Sequence, residues 1–195
     1  MNNIRLLSIL AFCIILGIGL STTMQGKSRR KKDLDQTAYT FSFTTIDGKP
    51  LHLSDYKGKV LLIVNTASFC KFTPQYKELE ELYQRYKKDG LVVIAVPSND
   101  FGKQEPGSSE EISCFIHEHY PVTFLVTEKE IVKGKNAHPF YIWAGKKAGF
   151  WGKPKWNFHK YIIDRNGHFS DWFSSNTLPL SPMFINAIEK ALEMQ

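Results

Sequence analysis

Hydrophobic and polar residues follow two rhythms along this chain, and the rhythms set most of its elements. Tyr39, Phe41 and Phe43 alternate with small polar residues, and Asp47-Gly48 separates them from Leu51 and Leu53. That pattern predicts a hairpin with an Asp-Gly turn. Val60-Leu61-Leu62-Ile63-Val64 and Leu91-Val92-Val93-Ile94-Ala95-Val96 are continuous apolar runs, as expected for strands buried on both faces. Between them Tyr76, Leu79, Leu82, Tyr83 and Tyr86 recur at helical spacing. They predict a helix with Thr73 as its cap, Pro74 in its first position and Gly90 past its end. Ser108 and Glu111 form a capping box ahead of a second helix carrying Ile112, Phe115 and Ile116. Residues 121–153 read as mostly irregular, rich in lysine and glycine. Segments 158–163 and 168–173 flank Asn166-Gly167, a second hairpin signal. Ser181-Pro182 opens a last helix, with Phe184, Ile185, Ile188, Ala191 and Leu192 on its apolar side.

A length of 195 residues with 43% hydrophobic content is enough for one domain with its own core. The formal charge of +6 hints at a polyanion partner until its location is considered. Arg5, Lys27, Arg29, Arg30, Lys31 and Lys32 all lie in residues 1–32, which hold no acidic residue; 19 of the 25 basic residues remain to balance 19 acidic ones. The globular part is neutral overall, so nucleic acid is not expected as a partner. Leu6 to Leu20 is largely apolar and follows Arg5. It suits a signal-peptide core and is short for a membrane span of ~20 residues. The expected organisation is a signal peptide or membrane anchor over 1–22, a polar basic linker over 23–38 and a domain over 39–195. Export or membrane anchoring is expected, with the side of the membrane open.

Of the three cysteines, Cys13 belongs to the apolar N-terminal stretch. Cys70 and Cys114 are too few for a disulfide scaffold and lack metal-site spacing; they form one redox pair or none. Cys70 follows a buried strand and precedes a helix. Free N–H groups and the positive dipole end favour an anion there, and Lys71 adds to this. The ionised sulfur is the nucleophilic form of cysteine. The competing reading of Cys70 is a buried, inert thiol.

Three ordered motifs decide between these. The first runs from Gly58 through Asn65-Thr66-Ala67-Ser68-Phe69-Cys70 to Phe72-Thr73-Pro74-Gln75-Tyr76; the second is Pro97-Ser98-Asn99-Asp100-Phe101-Gly102-Lys103-Gln104-Glu105-Pro106-Gly107; the third is Lys155-Trp156-Asn157-Phe158. Through them residues 39–195 resemble the glutathione peroxidase family. The resemblance implies an α/β, thioredoxin-like fold, with a central mixed sheet flanked by helices and an N-terminal β-hairpin. It implies a peroxidatic cysteine at Cys70 and a catalytic group completed by Gln104, Trp156 and Asn157. Each of those three, taken alone, has a plainer reading as loop, core or turn residue. Amide NH₂ and indole N–H are neutral donors, suited to holding a negative sulfur and a departing oxygen. The implied activity is reduction of hydrogen peroxide or organic hydroperoxides through a sulfenic acid, with glutathione or thioredoxin as thiol co-substrate and no bound cofactor or metal.

The chain departs from the family pattern in places. Many thioredoxin-dependent relatives place a resolving cysteine where this chain has Ile116. Cys114, two residues earlier, is turned by about 200° on a helix, to a different face. It is either a resolving thiol reached by rearrangement of that helix or a helix cysteine with no redox part. Asp100 puts a carboxylate in the second motif where relatives often have glutamine, and Ser98 stands where they often have cysteine. The segment between Ala137-His138-Pro139-Phe140 and Trp156 lacks the long insertion of tetrameric relatives, which implies a monomer. Two rivals remain: an exported thiol-disulfide oxidoreductase, for which Thr73 occupies the second position of Cys-x-x-Cys, and a non-catalytic peroxide sensor.

Overall fold

The computed structural model describes residues 36–194. The N-terminal apolar segment, Cys13 and the basic run lie outside the described residues. The hairpin pairs β1 (Ser42–Thr44) with β2 (Pro50–His52), Phe43 facing Leu51 across the register. Gly48 takes φ +80° in the turn, where a side chain would be strained. Tyr39, expected in the first strand, instead lies in a 3-10 turn over Ala38–Thr40.

A five-stranded mixed sheet follows, in the order β5-β4-β3-β6-β7. Its centre is β3 (Val60–Thr66), parallel to β4 (Leu91–Pro97) and antiparallel to β6 (Lys160–Ile163). The edges are β5 (Leu125–Val126), parallel to β4, and β7 (Phe169–Phe173), antiparallel to β6. Helices α1 (Gln75–Tyr86), α2 (Ser109–His119), α3 (Pro139–Lys147) and α4 (Pro182–Glu193) flank it. This is the thioredoxin-like architecture.

Every residue of β3 is buried, and its alternation divides the core. Val60, Leu62 and Val64 pack on one face with Tyr76, Leu79 and Leu82 of α1, Ile112 and Ile116 of α2, and Phe184 and Ile188 of α4. Leu61 and Ile63 pack on the other with Phe140, Tyr141 and Trp143 of α3 and with Phe43 and Leu51 of the hairpin. Each such side chain contributes about 1.5–3 kcal/mol on burial. The carboxyl end of the strand that carries the first motif is therefore fixed from both sides.

Helix α3 and strand β5 correct the expectation that 121–153 is irregular. Its start was marked: Pro139 stands at the first position, and the His138 ring accepts the Phe140 N–H at 3.2 Å. It buries five of its nine residues, so the amphipathic rhythm is absent. Helix α2 carries the expected capping box: Glu111 N–H donates to Ser108 Oγ at 3.3 Å, and Ser108 N–H donates to the Glu111 carboxylate at 2.7 Å. Thr73 does not cap α1, whose first residue is Gln75, and its hydroxyl is engaged elsewhere.

Candidate active site

Cys70 sits in the turn between β3 and α1, 8% exposed. Thr73 builds that turn. Its Oγ1 accepts the Cys70 N–H at 3.1 Å, and its own proton is within reach of the carbonyls of Ala67 (2.9 Å) and Cys70 (2.7 Å). The Cys70 carbonyl also accepts the Thr73 N–H at 3.0 Å. The sulfur is thereby presented to the Phe72 N–H, which approaches Sγ at 3.5 Å. Such a donor interacts more strongly with a thiolate than with a thiol. The Lys71 ammonium lies 4.9 Å over the Phe72 ring.

The second and third motifs meet beside this turn. The Gln104 carbonyl accepts the N–H of Phe69, the neighbour of Cys70, at 3.1 Å. Asn157, fully buried, donates from Nδ2 to Gln104 Oε1 at 3.0 Å. That bond orients the Gln104 amide, because its oxygen is taken and its NH₂ is left to donate. Asn65, at the end of β3, holds the third motif: its Nδ2 donates to the Trp156 carbonyl at 3.1 Å, and its own carbonyl accepts the Phe158 N–H. Trp156 packs 6.1 Å from the Phe101 ring and is 38% exposed, so it is a surface residue of the site and not core. A Cβ on Gly102 would lie 3.4 Å from Trp156 Cη2 and 3.5 Å from Gln104 Cγ. The loop approaches both side chains closely there, at φ +65°.

Lys103 (φ +52°) and Phe158 (φ +65°) are the non-glycine residues with left-handed backbone among those described. One precedes Gln104 and the other follows Asn157. Strain of this kind, of order 1–3 kcal/mol per residue, persists where surrounding contacts over-determine the chain, and it clusters at functional sites.

Three sequence expectations are placed differently from one another. Cys70, Gln104, Trp156 and Asn157 gather at one end of the sheet. Among the described residues, neither the Gln104 amide nor the Trp156 indole donates a hydrogen bond directly to Sγ; catalytic hydrogen bonds of a free enzyme often tighten only with substrate. Cys114 is exposed on α2, its thiol 3.3 Å from Glu118 Oε1, which pushes its pKa up, while Ile116 faces the core. Asp100 does not face the sulfur turn. Its Oδ2 accepts the N–H groups of Val132 (2.7 Å) and Lys133 (3.0 Å) and pins the loop before α3.

Two charged groups near the site escaped sequence reasoning. Glu105 is 1% exposed, and its carboxylate oxygens make no well-aligned hydrogen bond; burial pushes its pKa up to about 7, against smaller opposing effects of the nearby Ser68 hydroxyl and N–H and of Lys129. It lines a cavity of about 400 Å³ with Ser68, Phe69, Gly107, Ile112 and Phe115, on the side of the turn preceding Cys70. Lys160 is fully buried, donating to Gln75 Oε1 (2.7 Å) and the Phe158 carbonyl (2.8 Å); burial pulls its pKa down to about 7. It ties α1 to the residue after Asn157. His159 beside it is held neutral, its pKa lowered to about 3 by burial and by Lys160, and it stacks on Trp172.

The glutathione peroxidase family model matches residues 38–144. A glutathione peroxidase-like peroxiredoxin of Chlamydomonas reinhardtii is 46% identical over 156 residues, covering 79% of this chain and 95% of the relative. A hydroperoxy fatty acid reductase of Synechocystis sp. is 45% identical over 153 residues, covering 74% and 90%. A solved structure described as Trgpx in apo form is 36% identical with a TM-score of 0.67, covering 82% of this chain and 97% of that one. With the three motifs joined by hydrogen bonds at one end of a thioredoxin-like sheet, this chain belongs to the glutathione peroxidase family.

Proposed function

We infer that this chain is a thiol-dependent peroxidase that reduces hydroperoxides, with Cys70 as the sulfur that is oxidised. The observation that carries the reading is the junction of three distant motifs: Phe69 beside Cys70 bonds the Gln104 backbone, and Asn157 bonds the Gln104 side chain. The Cys70 thiolate attacks one oxygen of the hydroperoxide. An S–O bond forms, the O–O bond breaks, and the departing oxygen takes a proton to leave as water or an alcohol. The sulfur, oxidised by two electrons, is now a sulfenic acid. A thiol condenses with it, releasing water and forming a disulfide; a second thiol regenerates Cys70 by exchange. The oriented Gln104 NH₂ and the half-exposed Trp156 indole are the donors for the peroxide oxygens, and Asn157 is the residue that positions Gln104.

The reductant is glutathione or a thioredoxin-like protein, acting as co-substrate in a monomer. Cys114 takes the resolving role only through a rearrangement of α2, since it is exposed while Ile116, two residues on and turned by about 200°, is buried. The N-terminal apolar segment serves export or anchoring. Peroxide consumption by purified residues 33–195, assayed side by side with glutathione and with thioredoxin, tests the reading. Multiple turnover with either supports it. A burst of one peroxide per chain with no turnover favours a sensor and refutes it.

A further inference from the structure

We propose that the cavity beside the Cys70 turn seats the ammonium or guanidinium group of the thiol reductant, so that the preferred co-substrate carries a basic residue next to its cysteine. The choice of co-substrate rests on the peroxidase reading; occupation of the cavity by an organic cation does not. The cavity, of about 400 Å³, lies between the turn and the start of α2. Glu105 lines it at 1% exposure, and neither of its oxygens makes a well-aligned hydrogen bond. The nearby Ser68 hydroxyl, in a residue 6% exposed, has no well-aligned partner either. A carboxylate has room for about four hydrogen bonds, and a group held this far from water is stabilised most by a donor that carries positive charge.

The chain's own charges do not supply that donor. Lys129 acts on Glu105 from a distance, but its ammonium donates to the backbone carbonyls of Glu105 (3.2 Å), Pro106 (3.3 Å) and Gly107 (2.6 Å). Tyr76 of α1 feels the Glu105 charge and is kept neutral by burial. A second carboxylate, Glu111 in the first turn of α2, lines the cavity, with its Oε2 bonded to the Ser108 N–H. Phe69 and Phe115, with ring centres 5.9 Å apart, and Ile112 supply apolar wall. One buried carboxyl, one exposed carboxylate and aromatic faces suit a cation on an apolar stem.

Other occupants fit less well. A neutral acyl chain would bury the Glu105 carboxyl further without giving it a donor. An anion would meet two carboxylates, and glutathione brings two carboxylates of its own against one ammonium, which makes it the poorer reductant. Among the described residues no three metal-ligating side chains gather. Phe69 adjoins Cys70 in the chain, and consecutive Cα atoms are about 3.8 Å apart, so a cation in the cavity and a sulfur at Cys70 belong to neighbouring residues of one reductant. In the reducing step that sulfur attacks the Cys70 sulfenic acid. The S–S bond forms, the S–O bond breaks, and the hydroxyl leaves as water with the thiol's proton. The seated cation fixes the line of attack.

The test compares acetylated, amidated lysyl-cysteine and cysteinyl-lysine with their norleucine counterparts as reductants of residues 33–195. The aligned region makes up 95% of a natural relative, so the domain folds without the N-terminal segment. The readout is kcat/KM for each thiol, normalised to its reaction with a small model disulfide. Wild type should favour a lysine peptide over its norleucine counterpart about tenfold or more, and increasingly so as pH rises through about 7 and Glu105 ionises. Glu105→Gln should lose the preference; because it is a ratio within one protein, any change in Cys70 itself cancels. Glu111→Gln keeps the capping box and should lose part of the preference, and it decides if Glu105→Gln fails to fold. In a second arm, n-butylammonium without peroxide should shift the amide NMR signals of Ser68, Phe69 and Ile112 in wild type only. No preference in wild type, an equal preference in a folded Glu105→Gln, or no shift with butylammonium would overturn the proposal. No turnover with any thiol, alongside the expected shifts, would instead overturn the peroxidase reading and leave the cation seat standing.

Discussion

Replacing Glu105 with glutamine removes a charge that the fold holds at a cost, and the cost has a pH signature. The carboxyl is 1% exposed with no well-aligned hydrogen bond, and burial outweighs the nearby Ser68 donors, so that its pKa stands near 7 against an ordinary 4.5. Below pH 4.5 it is protonated in both folded and unfolded chains and has no effect. As pH rises from 4.5 to about 7 the unfolded chain loses its proton first. The folded chain then binds more protons than the unfolded one, and stability falls with pH. Each unit is worth 1.36 kcal/mol, so the full loss is about 3 kcal/mol, complete just above pH 7. Glutamine keeps the shape without the titration. Urea unfolding of wild type and Glu105→Gln across this pH range should give curves that diverge by about 2–3 kcal/mol, the variant being the more stable at the alkaline end. Other titrating groups cancel in the difference. Parallel curves would show that the carboxyl is not buried as described.

Three further outcomes follow from single contacts. Asn157→Ala frees the Gln104 amide to rotate and should lower the second-order rate of peroxide reduction about ten- to a hundredfold, measured by stopped flow under single turnover. Thr73→Val leaves the Cys70 N–H unpaired and should cost about 1–3 kcal/mol in chemical denaturation, with a slower oxidation of Cys70. For Lys160 the sign is reversed from that of Glu105. A lysine whose pKa falls to about 7 binds fewer protons folded than unfolded, so wild type should gain stability relative to Lys160→Met as pH rises above about 7, by a few kcal/mol in total.

Much of the fold was legible because its elements carry their own rhythm. The apolar runs at 60–64 and 91–96 had to be central strands, and Ser108 with Glu111 announced α2. Helix α3 was hidden by its own burial: Phe140, Tyr141, Trp143, Ala144 and Gly145 are all inside, so no polar face marks it, and glycine in its last turn reads as a breaker. Strand β5, of two residues, is defined by its pairing with Ile94 and Ala95, with Val126 also accepting the Ile46 N–H. Thr73 illustrates a local signal with a tertiary use. Its side chain looks like a helix cap, yet it serves the cysteine turn. Of the candidate site, Cys70 was visible from its junction, while Gln104, Trp156 and Asn157 were visible only as parts of long motifs. The bond between Asn157 and Gln104 spans 53 residues of sequence and has no local trace. Glu105 and Lys160 could not be foreseen, because burial of a charged residue is decided by what packs over it.

The most direct test is to identify the oxidised atom. The reduced domain is treated with one equivalent of hydroperoxide, trapped with a sulfenic-acid reagent and mapped by peptide mass spectrometry. The label is expected on Cys70, with Cys70→Ser losing both label and turnover. A label confined to Cys114, with full peroxidase activity retained in Cys70→Ser, would contradict it.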